Sequence, residues 1–221
     1  MATIVMQIEQ ITVYLNSENS QHRLKALTEL RHYDTQVAVP LLISCLQDPE
    51  FLVRSFVAMG LGNKKSPESY EALVELLNND RDHNVRAEAA NALSKYGEVA
   101  IACLVEAFRR DDSWLVRRSI LAPLMDMPYP DALYQVCLCG LTGEDQMVRE
   151  AAVSALGILA GSEKHDQALQ QLLALVASES WHIRARVARA LKQFEDASAK
   201  AALKYLSKDD DHQVLGAVLE N

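Results

Sequence analysis

The chain has 221 residues, 49% of them hydrophobic and 24% charged, with aromatics at only 6% and few Gly or Pro. This balance excludes a disordered chain, and its weighting toward Ala, Leu and Val argues for helices rather than sheet. A net charge of −8 lacks the basic field that a general nucleic-acid binder needs, and no apolar run is long enough to cross a membrane.

The first stretch, MATIVMQIEQ, lacks the basic start and apolar core of a signal peptide, so a cytoplasmic, soluble protein is expected. Beyond it one short pattern recurs along the chain. VRSFVAMGL (53–61), VRAEAANAL (85–93), VREAAVSAL (148–156) and IRARVARAL (183–191) are near-copies. Anchored on Arg23, Arg54, Arg86, Arg117, Arg149 and Arg184, the copies are spaced by 31, 32, 31, 32 and 35 residues. A seventh copy falls at Leu215, without its Arg. Leu30, Leu61, Leu93, Leu124, Leu156 and Leu191 stand seven residues after the anchors. The anchor and the positions three, four and seven beyond it share one helical face. Small residues at the middle two let helices approach closely, and each Leu contributes about 1.5–3 kcal/mol when fully buried.

Asn19, Glu50, Asp82, Ser113, Asp145, Ser180 and Asp211 stand four residues before the seven anchors, and all but Glu50 are good helix N-caps. A helix is therefore expected to start after each. An amphipathic helix precedes it, as in SYEALVELL (69–77), ALYQVCLCGL (132–141) and QALQQLLALV (167–176). Each unit is helix, turn, helix, and buries its apolar face only by stacking on its neighbours. Pro123 is expected to kink the second helix of the fourth unit, followed closely by Pro128 and Pro130. The longer spacing before Arg184 is expected to lie in AGSEKHD (160–166).

The pattern D-x-x-x-x-V-R-x-x-A-x-x-A-L, clearest in NDRDHNVRAEAANALSKYG (79–97), resembles the short HEAT-like repeat of phycobilisome lyases. Asp48, Asp80 and Asp111 stand six before their Arg, whereas Gly143 and Ser178 replace Asp in later units. The resemblance covers nearly the whole chain. It implies a single domain over 1–221, an all-α, right-handed α-solenoid of about seven two-helix repeats. It also implies a cyanobacterial, photosynthetic setting. Members of that family include bilin lyases, factors that promote bilin detachment, and plain protein-binding scaffolds. By resemblance the expected partner is a phycobiliprotein or another photosynthetic component, with no resident cofactor and bilin only as a transient ligand. The same repeat builds deoxyhypusine hydroxylase, which ligates iron through His-Glu dipeptides. None of the six His here precedes a Glu, so the di-iron reading is set aside.

No nucleophile elbow, phosphate loop, dinucleotide fingerprint or zinc-protease motif occurs. The four cysteines lack C-x-x-C spacing and read as reduced, mostly buried thiols. Catalytic residues therefore stay unassigned, and two surfaces are candidates for binding. One is a row three residues before the anchors: Phe51, His83, Trp114, Gln146, Trp181 and His212. The rings either cover the starts of their own helices or form a ladder that grips a partner or a flat conjugated ligand. The other is a basic strip of Arg186, Arg189 and Lys192, with Arg118 in the fourth unit, suited to carboxylates. Arg184 is expected to pair inside the stack. Tyr129, Tyr134, Cys137 and Cys139 cluster after the Pro-rich bend, where a thiol could hold a bilin by covalent addition.

Overall fold

The computed structural model describes residues 6–220; residues 1–5, where the leader reading starts, and Asn221 lie outside it. Among the described residues the chain alternates first and second helices through seven pairs. The first helices are α1 (Ile8–Leu15), α3 (Thr35–Ile43), α5 (Pro67–Asn79), α7 (Glu98–Arg110), α9 (Pro130–Thr142), α11 (His165–Ala174) and α13 (Ala197–Leu206). The second helices are α2 (Ser20–Glu29), α4 (Phe51–Asn63), α6 (His83–Ser94), α8 (Trp114–Met125), α10 (Gln146–Ile158), α12 (Trp181–Leu191) and α14 (His212–Leu219). This is the all-α solenoid expected from the repeat. No helix among the described residues is long and apolar enough to cross a membrane.

Each second helix starts one residue after the position marked as its cap. Asn19, Asp82, Asp145 and Asp211 accept backbone N–H bonds from the first turn, at 2.9, 2.8, 2.9 and 2.8 Å. Glu50 and Ser180 make no side-chain cap bond. The buried face follows the spacing read from sequence: Val57, Ala58 and Leu61 on α4, Ala89, Ala90 and Leu93 on α6, Val187, Ala188 and Leu191 on α12. Second helices pack on second helices, α4 against α2 and α6, and α12 against α10 and α14. At Gly62 an added Cβ would lie 2.6 Å from the Cβ of Ala92, and at Gly157 it would lie 3.0 Å from the Cα of Ala190. Two of these interfaces therefore depend on a missing side chain.

The chain divides into two compact units, up to Ile120 and from Leu121. The division falls inside α8, in the repeat where irregularity was expected. Pro123 does not interrupt α8, which runs through it to Met125. The proline sits in the last turn, where its missing N–H withdraws one bond, to the carbonyl of Ser119 four residues back. Bonds from Asp126 N–H to the Pro123 carbonyl (3.2 Å) and from Met127 N–H to Leu124 (3.3 Å) then close the end. The longer spacing before Arg184 is not an open loop. It is taken up by a 3-10 turn, Leu159–Gly161, and a short turn before α11. His165 ties this turn down, its Nδ1 facing the Ala160 carbonyl and its Nε2 lying 2.9 Å from Asp196.

Candidate functional site

The turns between paired helices carry a ladder of buried ion pairs. Arg54 Nε and Nη2 donate to Asp80 at 2.7 and 2.9 Å, and Nη1 donates to the carbonyls of Asp48 and Pro49 at 2.7 and 3.3 Å. Arg23 holds Asp48 in the same way at 2.6 and 2.9 Å, Arg86 holds Asp111 at 2.6 and 3.1 Å, and Arg184 holds Asp209 at 2.7 and 2.9 Å. Each Asp does a second job. Its Oδ1 accepts the backbone N–H two residues on, from Glu50, Asp82, Ser113 and Asp211, always at 2.9 Å. One carboxylate thus folds its own turn and grips the previous repeat. Hydrogen bonding to these carboxylates raises the four guanidinium pKa values, opposed in part by desolvation. Arg184 pairs inside the stack as expected. The sequence marks Asp48, Asp80 and Asp111 by their distance from their own Arg and leaves Asp209 unmarked, but each partner lies 25 or 26 residues back, which only stacking reveals.

Arg117 departs from the pattern, since Gly143 stands where its acid would be. Its Nε donates instead to the Asp111 carbonyl at 2.7 Å, and its guanidinium lies 5.6 Å from the Phe108 ring centroid.

The ring row occupies the first residue of successive second helices, and every member is exposed. Phe51, His83 and Trp114 belong to the first unit; Gln146, Trp181 and His212 belong to the second. Phe51, Trp114 and Trp181 keep 42%, 40% and 37% of their surface open, so more than half of each ring side chain already packs on the protein. Trp181 also stacks on its neighbour His182, with centroids 3.6 Å apart. Leu52 and Met147, one position further into α4 and α10, are exposed as well and add apolar area that the ring count overlooked. The first unit also carries shallow grooves of about 250 and 320 Å³, lined by the ion-pair ladder with Glu75, Arg81, Arg110 and Asp112 and by none of the rings.

The basic strip is largely met inside the chain, which corrects the expectation of a free positive field. Arg189 forms a fork with Glu220 at 2.7 and 2.8 Å, and Lys192 donates to the Glu220 carbonyl. Arg186 lies 3.5 Å from Glu150, one repeat back. Arg189 holds the Glu220 carboxyl below its ordinary pKa. Of the four strip residues, Arg118 and Arg186 are the exposed ones, on α8 and α12.

The thiols do not form a reactive site at Cys137. It is fully buried, and desolvation pushes its pKa up to about 12, the opposite of what nucleophilic addition requires. Burial also raises Cys45 and Cys103. Cys139 is half-buried, as are Tyr129 and Tyr134. Among the described residues no group of three or more His, Cys, Asp or Glu is placed to hold a metal ion.

Residues 8–81, 46–124 and 134–221 match the HEAT-repeat family. Deoxyhypusine hydroxylase-B of Oryza sativa subsp. japonica is 31% identical over 127 residues, covering 56% of this chain and 42% of that protein. Deoxyhypusine hydroxylase of Drosophila pseudoobscura pseudoobscura is 27% identical over 108 residues, covering 48% and 36%. The chain spans less than half the length of these relatives, and its His residues do not fit the His-Glu iron ligation that the hydroxylase resemblance implies. Among solved structures, YibA of Escherichia coli superposes with a TM-score of 0.64 at 19% identity, over 96% of this chain and 80% of that one. The CpcE–CpcF phycocyanin lyase complex from Nostoc sp. gives a TM-score of 0.55 at 19% identity, over 99% and 96%. Both likenesses concern the fold. With matches running along nearly all of the chain and a helix pair in every copy, the chain belongs to the HEAT-repeat family.

Proposed function

We propose that this protein is an interaction scaffold that holds a protein client along its turn edge. Phe51, His83 and Trp114 are the anchors in the first unit, and Trp181 is the anchor in the second. The observation that carries this reading is the repeated exposure of a ring at the first position of second helices, on a fold that holds each ring in place. Aromatic side chains held half-open on rigid elements are the groups that most often anchor protein interfaces. The grooves at the turns of the first unit are shallow and polar, which suits a chain laid across the edge rather than an enclosed substrate. Arg118 and Arg186 supply charge around the anchors. The client is a phycobiliprotein or another photosynthetic component, met in the cytoplasm. Support for that client is the short-repeat resemblance together with the fold likeness to the CpcE–CpcF phycocyanin lyase.

The test mixes the protein with intact phycocyanin and follows gel filtration and visible absorbance. Co-elution without a spectral change is expected. Phe51→Ala with Trp114→Ala should weaken capture by about tenfold or more while leaving the far-UV circular dichroism unchanged. Failure of the parent protein to co-elute removes the phycocyanin client. Equal loss of capture and helicity in the variant makes the rings structural. A shifted or transferred bilin band replaces the scaffold reading with chromophore attachment or detachment.

A further inference from the structure

The acid is missing from two rungs of the ion-pair ladder, those of Arg117 and Arg149, and in the second the arginine finds no substitute partner among the described residues. Arg149 occupies the anchor position on α10, and the residue that should face it from the next repeat is Ser178. Arg149 is half-buried and forms no ion pair or side-chain hydrogen bond among the described residues. A second donor is open beside Ser178. In the four filled rungs the N–H two residues after the Asp donates to its Oδ1 at 2.9 Å. The equivalent N–H here belongs to Ser180, and it meets no acceptor among the described residues. Ser178 has neither the reach nor the second oxygen to replace an aspartate. Four times in this chain a single carboxylate satisfies an anchor guanidinium and the N–H of the facing turn. Here the repeat register supplies the same two donors, one from α10 and one at the start of α12, helices that pack together within the second unit. Arg117 is not equivalent, because its Nε is already bound to the Asp111 carbonyl.

We propose that this open rung binds the carboxylate of an acidic side chain on a partner protein. The carboxylate takes the place held by Asp48, Asp80, Asp111 and Asp209 in the other rungs, accepting the Arg149 fork and the Ser180 N–H. A guanidinium fork matches a carboxylate in two parallel bonds, which makes the site selective for that group. A protein side chain is favoured over a free acid by the exposed apolar residues nearby in sequence. Trp181 follows Ser180, and Met147 precedes Arg149 by two residues, with 37% and 53% of their surfaces open. The site stands independently of the ring-row reading, because it can be probed without any client.

The experiment uses the full chain labelled with 15N, titrated at constant ionic strength with sodium acetate and, separately, with N-acetyl-aspartyl amide. The signals followed are the Ser180 amide and the Arg149 Nε–H. Both probes should give saturable shifts at these two groups, and Arg149→Gln, read at the Ser180 amide alone, should weaken binding by about tenfold or more. Ser178→Asp supplies the acid from the chain itself. It should abolish both titrations and raise the melting temperature by about 2–4 °C. Absent or non-saturating shifts in the parent, or unchanged titrations in Ser178→Asp, overturn the site. Binding of acetate but not of the aspartyl probe overturns the assignment to a protein side chain.

Discussion

At Arg54 the guanidinium and its Asp80 partner are each about 95% removed from solvent, so neither charge tolerates the loss of the other. Arg54→Leu should cost about 3–5 kcal/mol in chemical denaturation, because Asp80 is left buried and unpaired. Adding Asp80→Leu should restore most of that loss, although the Asp82 N–H then lacks its acceptor. His165 gives a residue-scale pH dependence. Both groups facing its ring are acceptors, and its pKa is raised, first by the Ala160 carbonyl and then by Asp196, against desolvation. The folded chain therefore holds this proton more tightly than the unfolded chain. The contribution is complete below the ordinary imidazole range and is lost as pH rises through the raised value. The melting temperature of His165→Gln should fall below that of the parent near about pH 5 and approach it above about pH 8. Asp209 behaves oppositely. Its pKa is lowered by Arg184, so its contribution is present at neutral pH and lost as pH falls through the depressed value.

At the scale of elements, the spacing of the second helices is set by very small side chains. Gly62 on α4 meets Ala92 on α6 so closely that an added Cβ cannot fit without movement of backbone. Gly62→Val should cost about 1–3 kcal/mol through forced separation of the two helices. Gly161, in the 3-10 turn, has open space where its Cβ would lie, so Gly161→Ala should leave the thermal midpoint nearly unchanged. The contrast between the two variants separates an effect of close approach from a general effect of losing glycine.

At the scale of the whole molecule, a repeat array is stabilised by contacts between neighbours, so damage spreads only as far as those contacts reach. Arg54→Leu should lower amide hydrogen-exchange protection in α4, α5 and α6 and leave α12 and α14 protected as in the parent. A uniform loss of protection would instead show that the chain opens as one cooperative block.

The sequence by itself determined the helix pairs, their starting residues and the faces they bury. These follow from local rules: a capping residue, a period of 3.6, and small residues beside a Leu. The anchors of the ladder and the positions of the rings were legible for the same reason, because each is counted along one helix. Tertiary structure decided what those positions meet. The aspartate that serves Arg23, Arg54, Arg86 or Arg184 lies one repeat away, and the end of α14 brings Glu220 to Arg189 and Lys192, so charges that look free in sequence are already paired. In the sequence the thiols read as mostly buried, with a covalent bilin contact open as the alternative; the burial of Cys137, set by neighbours from other helices, decides between them. Stacking the copies likewise separates Arg117, which lacks an acid but bonds the Asp111 carbonyl, from Arg149, which has neither among the described residues, because what an arginine meets depends on what packs against it.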